Sequence, residues 1–78
     1  MFQPGQRWHA VRNGGTIHRD EIREVVRVGS KDIVFRTHDG RDYYTGIPKA
    51  REVVEARPGF LRFVYEEPAG VEVTLNLL

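Results

Sequence analysis

The chain of 78 residues is 40% hydrophobic and 29% charged, with a formal net charge of +1. This balance is ordinary for a globular domain and too apolar for a disordered chain. The lack of cysteine excludes disulfides, thiolate nucleophiles and cysteine-type zinc sites. No apolar run approaches the roughly 18 residues of a membrane helix, and no secretory signal pattern is visible. We therefore expect a single cytoplasmic domain over residues 1–78, with no membrane partner.

The composition favours β-structure. Ten Val, four Ile and four Thr stand against only four Leu and four Ala. Side chains branched at Cβ lose rotamer freedom in helices and pack well on pleated sheets. Eight glycines and four prolines supply turns. The fold class is therefore predicted as all-β, or as a β-rich α+β fold.

Alternating apolar and polar residues, interrupted by turn residues, predict six strands. They are Gln6–Arg12, Asp20–Val28, Asp32–Thr37, Arg41–Ile47, Phe60–Glu66 and Val71–Leu77. Asn13-Gly14-Gly15 and Asp39-Gly40 are hairpin signals, because these residues tolerate positive φ. We expect each of these two turns to join antiparallel strands.

The strand Asp20–Val28 has two competing faces. Ile22, Val26 and Val28 share one face with Glu24, and Arg23, Val25 and Arg27 share the other. We expect the more apolar Ile22 face to lie in the core, which places Arg23 on the outside. A bulge near Val25-Val26, or an edge position, would accommodate the carboxylate of Glu24.

The last predicted strand has the most regular alternation. Val71, Val73, Leu75 and Leu77 are expected inward, and Glu72, Thr74 and Asn76 outward. Strict alternation over seven residues is typical of a strand with one buried face.

The spacing of apolar residues changes between the fourth and fifth predicted strands. Pro48 suits the first turn of a helix, and apolar residues then recur at near-helical spacing until Pro58-Gly59. We predict one short helix over residues 48–56. A strand over Glu52–Ala56 is the alternative.

Six antiparallel strands with one helix form a small sheet that must be rolled or closed as a barrel to hide its edges. Residues 5–47 resemble the SH3-like barrels of small bacterial and phage proteins. The resemblance is carried by Gly5-Gln6-Arg7-Trp8, Ile22–Val28, Ile33-Val34-Phe35, Asp39-Gly40 and Tyr43-Tyr44. The resemblance extends at most to KOW-type or Tudor-like domains and to no specific family, because the KOW glycine pattern is missing. The resemblance implies a binding module and names no ligand.

The sequence contains little that supports catalysis. Ser30 is the only serine, and its neighbours do not form the G-x-S-x-G pattern of a nucleophile elbow. His9, His18 and His38 do not have the spacing of a metal motif, and there is no phosphate-binding loop. We expect a non-enzymatic protein without a catalytic residue, cofactor, metal or small-molecule substrate.

Arginine is the most distinctive residue of this chain. Residues 1–51 carry ten Lys/Arg and six Asp/Glu, whereas residues 52–78 carry two and five, and ten of all twelve basic residues are Arg. The outward strand positions predict a surface that we call the arginine face, with neighbouring aromatic residues. Its members are Arg7, Arg23, Arg27, Arg36 and Arg62, with Trp8 and Tyr44 beside them. Basic grooves with aromatic platforms hold single-stranded nucleic acid, but acidic residues are interleaved and the charges can serve solubility alone.

Two functions follow from these patterns. The first is a protein-interaction module that self-associates or binds another chain through an exposed strand edge or an aromatic patch. The alternative is nucleic-acid binding through the arginine face, which would weaken steeply with salt. The balanced net charge favours the protein-interaction module.

Overall fold

The computed structural model describes residues 1–16 and 18–78. It contains seven strands and one turn of 3₁₀ helix. The strands are β1 (Arg7–Asn13), β2 (Arg19–Val28), β3 (Asp32–Thr37), β4 (Asp42–Gly46), β5 (Val53–Arg57), β6 (Phe60–Val64) and β7 (Glu72–Leu77), and the 3₁₀ turn is Ala50–Glu52. All strands belong to one open sheet in the order β4-β3-β2-β1-β7-β6-β5, and every neighbouring pair is antiparallel.

The all-β prediction is confirmed, and all six predicted strands are present. The prediction of a helix over residues 48–56 is wrong, because only Ala50–Glu52 is helical and β5 follows it. This seventh strand is close to the alternative that the sequence left open. Pro58-Gly59 forms a tight turn, with Gly59 at a φ of 74°, and it returns the chain so that β5 pairs with β6. Pairing with β6 therefore outweighs the helical spacing.

The sheet is strongly curved. Seven strands at their usual spacing would form a flat layer about 29 Å across, whereas the molecule measures 28 × 25 × 21 Å and is too thick to be one flat layer. The curvature lets the inner face enclose a single core. The buried core residues are Trp8, Ala10, Val25, Ile33, Phe35, Leu61, Phe63, Val73 and Leu75.

The segment before β1 covers part of this core. The ring of Phe2 lies 5.1 Å from Trp8 and 6.1 Å from Phe35 between centroids. Backbone hydrogen bonds join Gly5 and Gln6 to Val25, at 2.8 Å each. These bonds extend the β1–β2 ladder and hold Phe2 over the inner face.

The expected orientation of β2 is wrong over its first half. Arg23 lies opposite Trp8 and is only 5% exposed, whereas Ile22 is 41% exposed on the outer face. The predicted bulge is present, because the register with β3 shifts between Val25 and Arg27. The shift changes the alternation, so Arg27 is exposed although Arg23, four residues earlier, points inward.

The final strand follows its prediction on the inner face up to Leu75, and it departs from the prediction at Glu72, Thr74 and Leu77. Val71, Val73 and Leu75 are buried and Asn76 is exposed, but Glu72 and Thr74 are half-buried. Leu77, which was expected in the core, is 40% exposed. The reason is register, because β6 begins with Phe60 opposite Asn76 and Leu77 lies beyond that pair.

Among residues 1–16 and 18–78, no helical segment has the length and apolar character required to cross a bilayer.

Both predicted hairpins are confirmed. Gly14-Gly15 follows Asn13, the last residue of β1, and lies between β1 and β2, and Asp39-Gly40 lies between β3 and β4. Gly14 and Gly40 have φ values of 117° and 82°, where a residue with a Cβ atom is strained. A Cβ atom at Gly14 would also overlap the carbonyl group of Gly70, whereas one at Gly40 would enter open space.

We predict that Gly14→Ala destabilises the fold more than Gly40→Ala. Gly40→Ala should cost about 1–2 kcal/mol, which is the strain of a left-handed alanine. Gly14→Ala adds the overlap with Gly70 to a similar strain. Urea denaturation of both variants measures the difference, and equal free energies of unfolding would contradict the close approach of the two loops.

Candidate functional site

The arginine face does not form as expected, because acidic residues alternate with arginines on the outer side of the sheet. In register, Arg7 lies opposite Glu24, Glu24 opposite Arg36, and Arg36 opposite Asp42. Arg36 donates two hydrogen bonds to Asp42, at 2.8 and 3.2 Å. These hydrogen bonds lower the pKa of Asp42, which keeps it charged at neutral pH. The row therefore carries two positive and two negative charges and is balanced.

The remaining outward arginines are separated from this row. Arg62 lies opposite Glu55 on β5, and its guanidinium is 3.7 Å from the carboxylate of Glu72. Arg27 is exposed and lies opposite Val34. The outer surface thus offers no continuous basic stripe along its described residues.

Arg23 is buried on the inner face, which corrects its expected outward position. Its Nε donates to Oε1 of Glu21 at 3.0 Å, and its guanidinium lies 5.7 Å from the Phe35 ring centre and 5.2 Å from that of Tyr43. The Tyr43 hydroxyl donates to the same oxygen at 3.3 Å. Burial raises the pKa of Tyr43 well above its ordinary value, so the hydroxyl remains a neutral donor.

Trp8, expected beside the arginines as a stacking platform, is fully buried and cannot contact a ligand from the surface. Its indole Nε1 donates to the side chain of Gln6 at 3.2 Å, which satisfies its polar atom inside the core. Tyr44 is different, because it is 69% exposed on the outer face.

The histidines take part in local contacts. His9 lies 2.5 Å from the carboxylate of Asp20, and His18 lies 2.6 Å from the side chain of Asn13. In residues 1–16 and 18–78, no three His, Asp or Glu side chains come together as a metal site.

The remaining candidate for a binding surface is the edge strand β4. The backbone N–H of Thr37 donates to the carbonyl oxygen of Arg41 at 2.9 Å. At the other end of β4, the backbone N–H of Ile47 donates to the carbonyl oxygen of Lys31 at 3.0 Å. Antiparallel ladders bond at every second pair, so Tyr43 and Thr45 are the residues of β4 that bond to β3. The peptide N–H and C=O groups of Asp42, Tyr44 and Gly46 point away from the sheet.

The two edges of the sheet are not equivalent. On β5 the register shifts between Val53 and Glu55, and Glu55 forms an ion pair with Arg57 at 2.6 Å. Bulges and charged residues of this kind protect an edge from pairing. The register of β4 with β3 is unbroken, and its one carboxylate, Asp42, is held by Arg36 on the outer face. The edge of β4 is therefore open to another strand.

An apolar depression, which we call the Ile47 pocket, follows directly after β4. It has a volume of about 300 Å³ and is lined by Met1, Phe2, Val28, Ile47, Pro48, Val53 and Leu61. Ile47 is 39% exposed. An exposed apolar depression next to an open edge is typical of a contact surface.

A buried carboxylate fixes the turn that follows the pocket. Oε1 of Glu52 accepts from the backbone N–H of Lys49 at 2.8 Å, and Oε2 accepts from that of Glu66 at 2.9 Å. Arg51 also pairs with Glu66. These contacts hold the β6–β7 loop against the 3₁₀ turn and thereby position the chain on both sides of the cleft between Gly46 and Tyr65.

The open edge could not be recognised from the sequence. Strand order determines which strand lies at an edge, and no local pattern encodes that order. The sequence features that point to this site are the predicted strand Arg41–Ile47 and its outward Tyr44.

No protein-family model, curated protein or solved structure matches this chain. The function is therefore inferred from the site itself.

Removal of the Glu21 carboxylate should destabilise the protein strongly. Glu21→Ala leaves Arg23 buried without its partner, which typically costs about 3–5 kcal/mol. The matched control is Asp42→Ala, which breaks the exposed pair with Arg36 and should change stability little. The free energy of unfolding in urea measures both. Similar losses for the two variants would show that Arg23 does not depend on Glu21.

Glu52 should make the fold sensitive to acid. The backbone hydrogen bonds from Glu66 and Lys49 lower the pKa of Glu52 below its ordinary value of 4.5. A lowered pKa in the folded state stabilises the protein above the unfolded pKa, and this stability is lost as the pH falls through the folded value. The Tm of the parent should therefore fall more steeply below pH 4.5 than that of Glu52→Gln.

The comparison with Glu52→Gln isolates this residue, because other carboxylates with lowered pKa, such as Asp39 and Asp42, are shared by both proteins. Glutamine retains one acceptor oxygen and the same shape, but it does not titrate. Parallel Tm curves for the parent and the variant would contradict a clamp made by the ionised carboxylate.

Proposed function

We propose that this protein is a non-enzymatic interaction module that binds an extended segment of a partner protein along the open edge of β4. The observation that carries the proposal is the set of outward peptide groups at Asp42, Tyr44 and Gly46, on a strand with unbroken register. Addition of a strand to such an edge obtains affinity from backbone hydrogen bonds and specificity from pockets for alternate side chains.

The Ile47 pocket supplies that specificity. A segment that continues along β4 past Gly46 reaches Ile47 and Pro48, which line the pocket. The preferred partner is therefore an extended peptide with an apolar side chain at that end. At the other end, Asp42 is neutralised by Arg36, so the partner needs no charge there.

The proposal also includes the type of roll or barrel that the curved sheet forms. We regard the curved sheet as an SH3-like roll or barrel that remains open between β4 and β5. The resemblance of residues 5–47 supports this description, since β1 to β4 occupy that region. SH3-like barrels are binding modules, in agreement with the proposed role.

Nucleic-acid binding through the arginine face is the weaker candidate. Arg23 is buried, and the charges of Arg7 and Arg36 are balanced by Glu24 and Asp42 in register. Titration with mixed single- and double-stranded oligonucleotides at low salt separates the candidates, because non-specific binding is strongest there.

A backbone substitution tests the proposed edge. Random peptides displayed on phage should yield binders that protect the amides of Asp42, Tyr44 and Gly46 from hydrogen exchange. Tyr44→Pro removes one outward N–H and leaves the β3–β4 ladder intact, so it should abolish binding. The matched variant Tyr44→Thr keeps that N–H and should retain binding. Peptides that bind Tyr44→Pro as well as the parent would contradict the proposal.

Two isoleucines of similar exposure test the Ile47 pocket. Ile47 is 39% exposed in the pocket, and Ile22 is 41% exposed on the outer face of β2. Ile47→Lys places a charge where the partner's apolar side chain is expected and should weaken peptide binding by about tenfold or more. Ile22→Lys should leave the affinity unchanged. Equal effects of the two substitutions would place the contact elsewhere.

A further inference from the structure

We propose that the occupant of the β4 edge is β4 of a second copy of this chain. The two strands pair antiparallel about a twofold axis through Tyr44, and the two sheets become continuous. This inference rests on the proposed function, because it requires the same outward peptide groups of β4.

The register follows from the positions of those groups. An antiparallel pair centred on Tyr44 places the two Tyr44 residues opposite each other and Asp42 opposite Gly46 of the second copy. The outward groups of Asp42, Tyr44 and Gly46 then all obtain donors and acceptors, since residues of a bonded pair exchange both hydrogen bonds. The backbone groups of the strand are thus complementary to themselves in this single register. Ile47 then lies opposite Arg41 of the second copy, so the dimer is held by the backbone and by Tyr44 and does not use the apolar preference of the Ile47 pocket.

The charges agree with this register. Asp42 faces a glycine, so like charges do not lie directly opposite each other, an arrangement that would be destabilising. The two Asp42 residues are about 13 Å apart along the paired strands, which exceeds the screening length of about 8 Å at physiological salt. Each Asp42 also keeps its hydrogen bonds to Arg36 on its own chain.

The outer face supplies side-chain contacts. Tyr44 lies opposite Val34 on β3, and Val34 is buried although it points outward. In the dimer the two exposed Tyr44 rings become neighbours at the centre of a row that continues through Val34 on each side. Aromatic pairs across strands stabilise sheets, and this pair covers Tyr44, the most exposed large hydrophobic side chain among residues 1–16 and 18–78.

The second edge limits the assembly to two copies. A chain with two open edges would form a continuing filament, whereas a twofold interface on one edge is closed. The shift between Val53 and Glu55 and the ion pair of Glu55 with Arg57 protect β5 from pairing. The expected assembly is therefore a dimer.

Single cysteines test this register, because the parent chain contains none. In the proposed dimer, Asp42→Cys and Gly46→Cys lie in a bonded pair whose Cα atoms are about 5.5 Å apart, within reach of a disulfide. With oxidised glutathione as electron acceptor, an equal mixture of the two variants should form the mixed dimer about tenfold faster than either variant forms its own dimer. Val54→Cys, on the β5 edge, is the control and should remain monomeric.

Sedimentation equilibrium of the parent provides the second measurement. The mass should rise to that of two chains as concentration increases to millimolar, and Tyr44→Pro should remain a monomer. Mixed cross-linking no faster than self-cross-linking, or a dimer that persists in Tyr44→Pro, would overturn the inference.

The outcomes also separate this inference from the proposed function. A parent that stays monomeric, yet binds peptides with protection of the Asp42, Tyr44 and Gly46 amides, overturns pairing of two copies and supports peptide binding at the edge. A parent that neither dimerises nor protects these amides with any peptide overturns both.

Discussion

The interior of this fold depends on one buried cation. Arg23 lies over the neighbouring rings of Phe35 and Tyr43 and donates to Glu21. A guanidinium withdrawn from water is costly unless it is paired and hydrogen-bonded. Glu21 lies on the same strand as Arg23, but strands β2, β3 and β4 must keep the register that brings the two rings to it. Loss of that register would expose the core and remove both rings from the guanidinium, so these contacts fix which face of the three strands is the interior.

The outer surface is a consequence of the same constraint. With Arg23 inside, its neighbour Glu24 must lie outside, where it separates Arg7 from Arg36 and divides the expected basic surface. With Tyr43 inside, Tyr44 must lie outside on the edge strand. The site proposed for partner binding thus consists of the exposed Tyr44 and of peptide groups on β4 that the core leaves unpaired, and it meets the charge row at Asp42.

Local patterns were sufficient for much of the fold. Turn residues and alternation located six strands and both hairpins, and they assigned the inner face of β7 up to Leu75. They failed where contacts with residues far away in the sequence determine the structure. The number of apolar residues on each face of β2 favoured Ile22 for the core. The aromatic rings that contact Arg23 in the core come from β3 and β4. Likewise, the apolar spacing around β5 is that of a helix, and pairing with β6 makes this segment a strand. Which strand lies at an edge depends on the complete strand order.

The orientation of Arg23 can be measured directly by NMR in solution. The Nε–H of Arg23 should exchange slowly with water and show a nuclear Overhauser effect to the ring of Tyr43, whereas the exposed Arg27 should exchange rapidly. The methyl groups of Ile22 should show no such effect to Trp8. Rapid exchange at Arg23, together with contacts between Ile22 and Trp8, would reverse the faces of β2 and contradict the account.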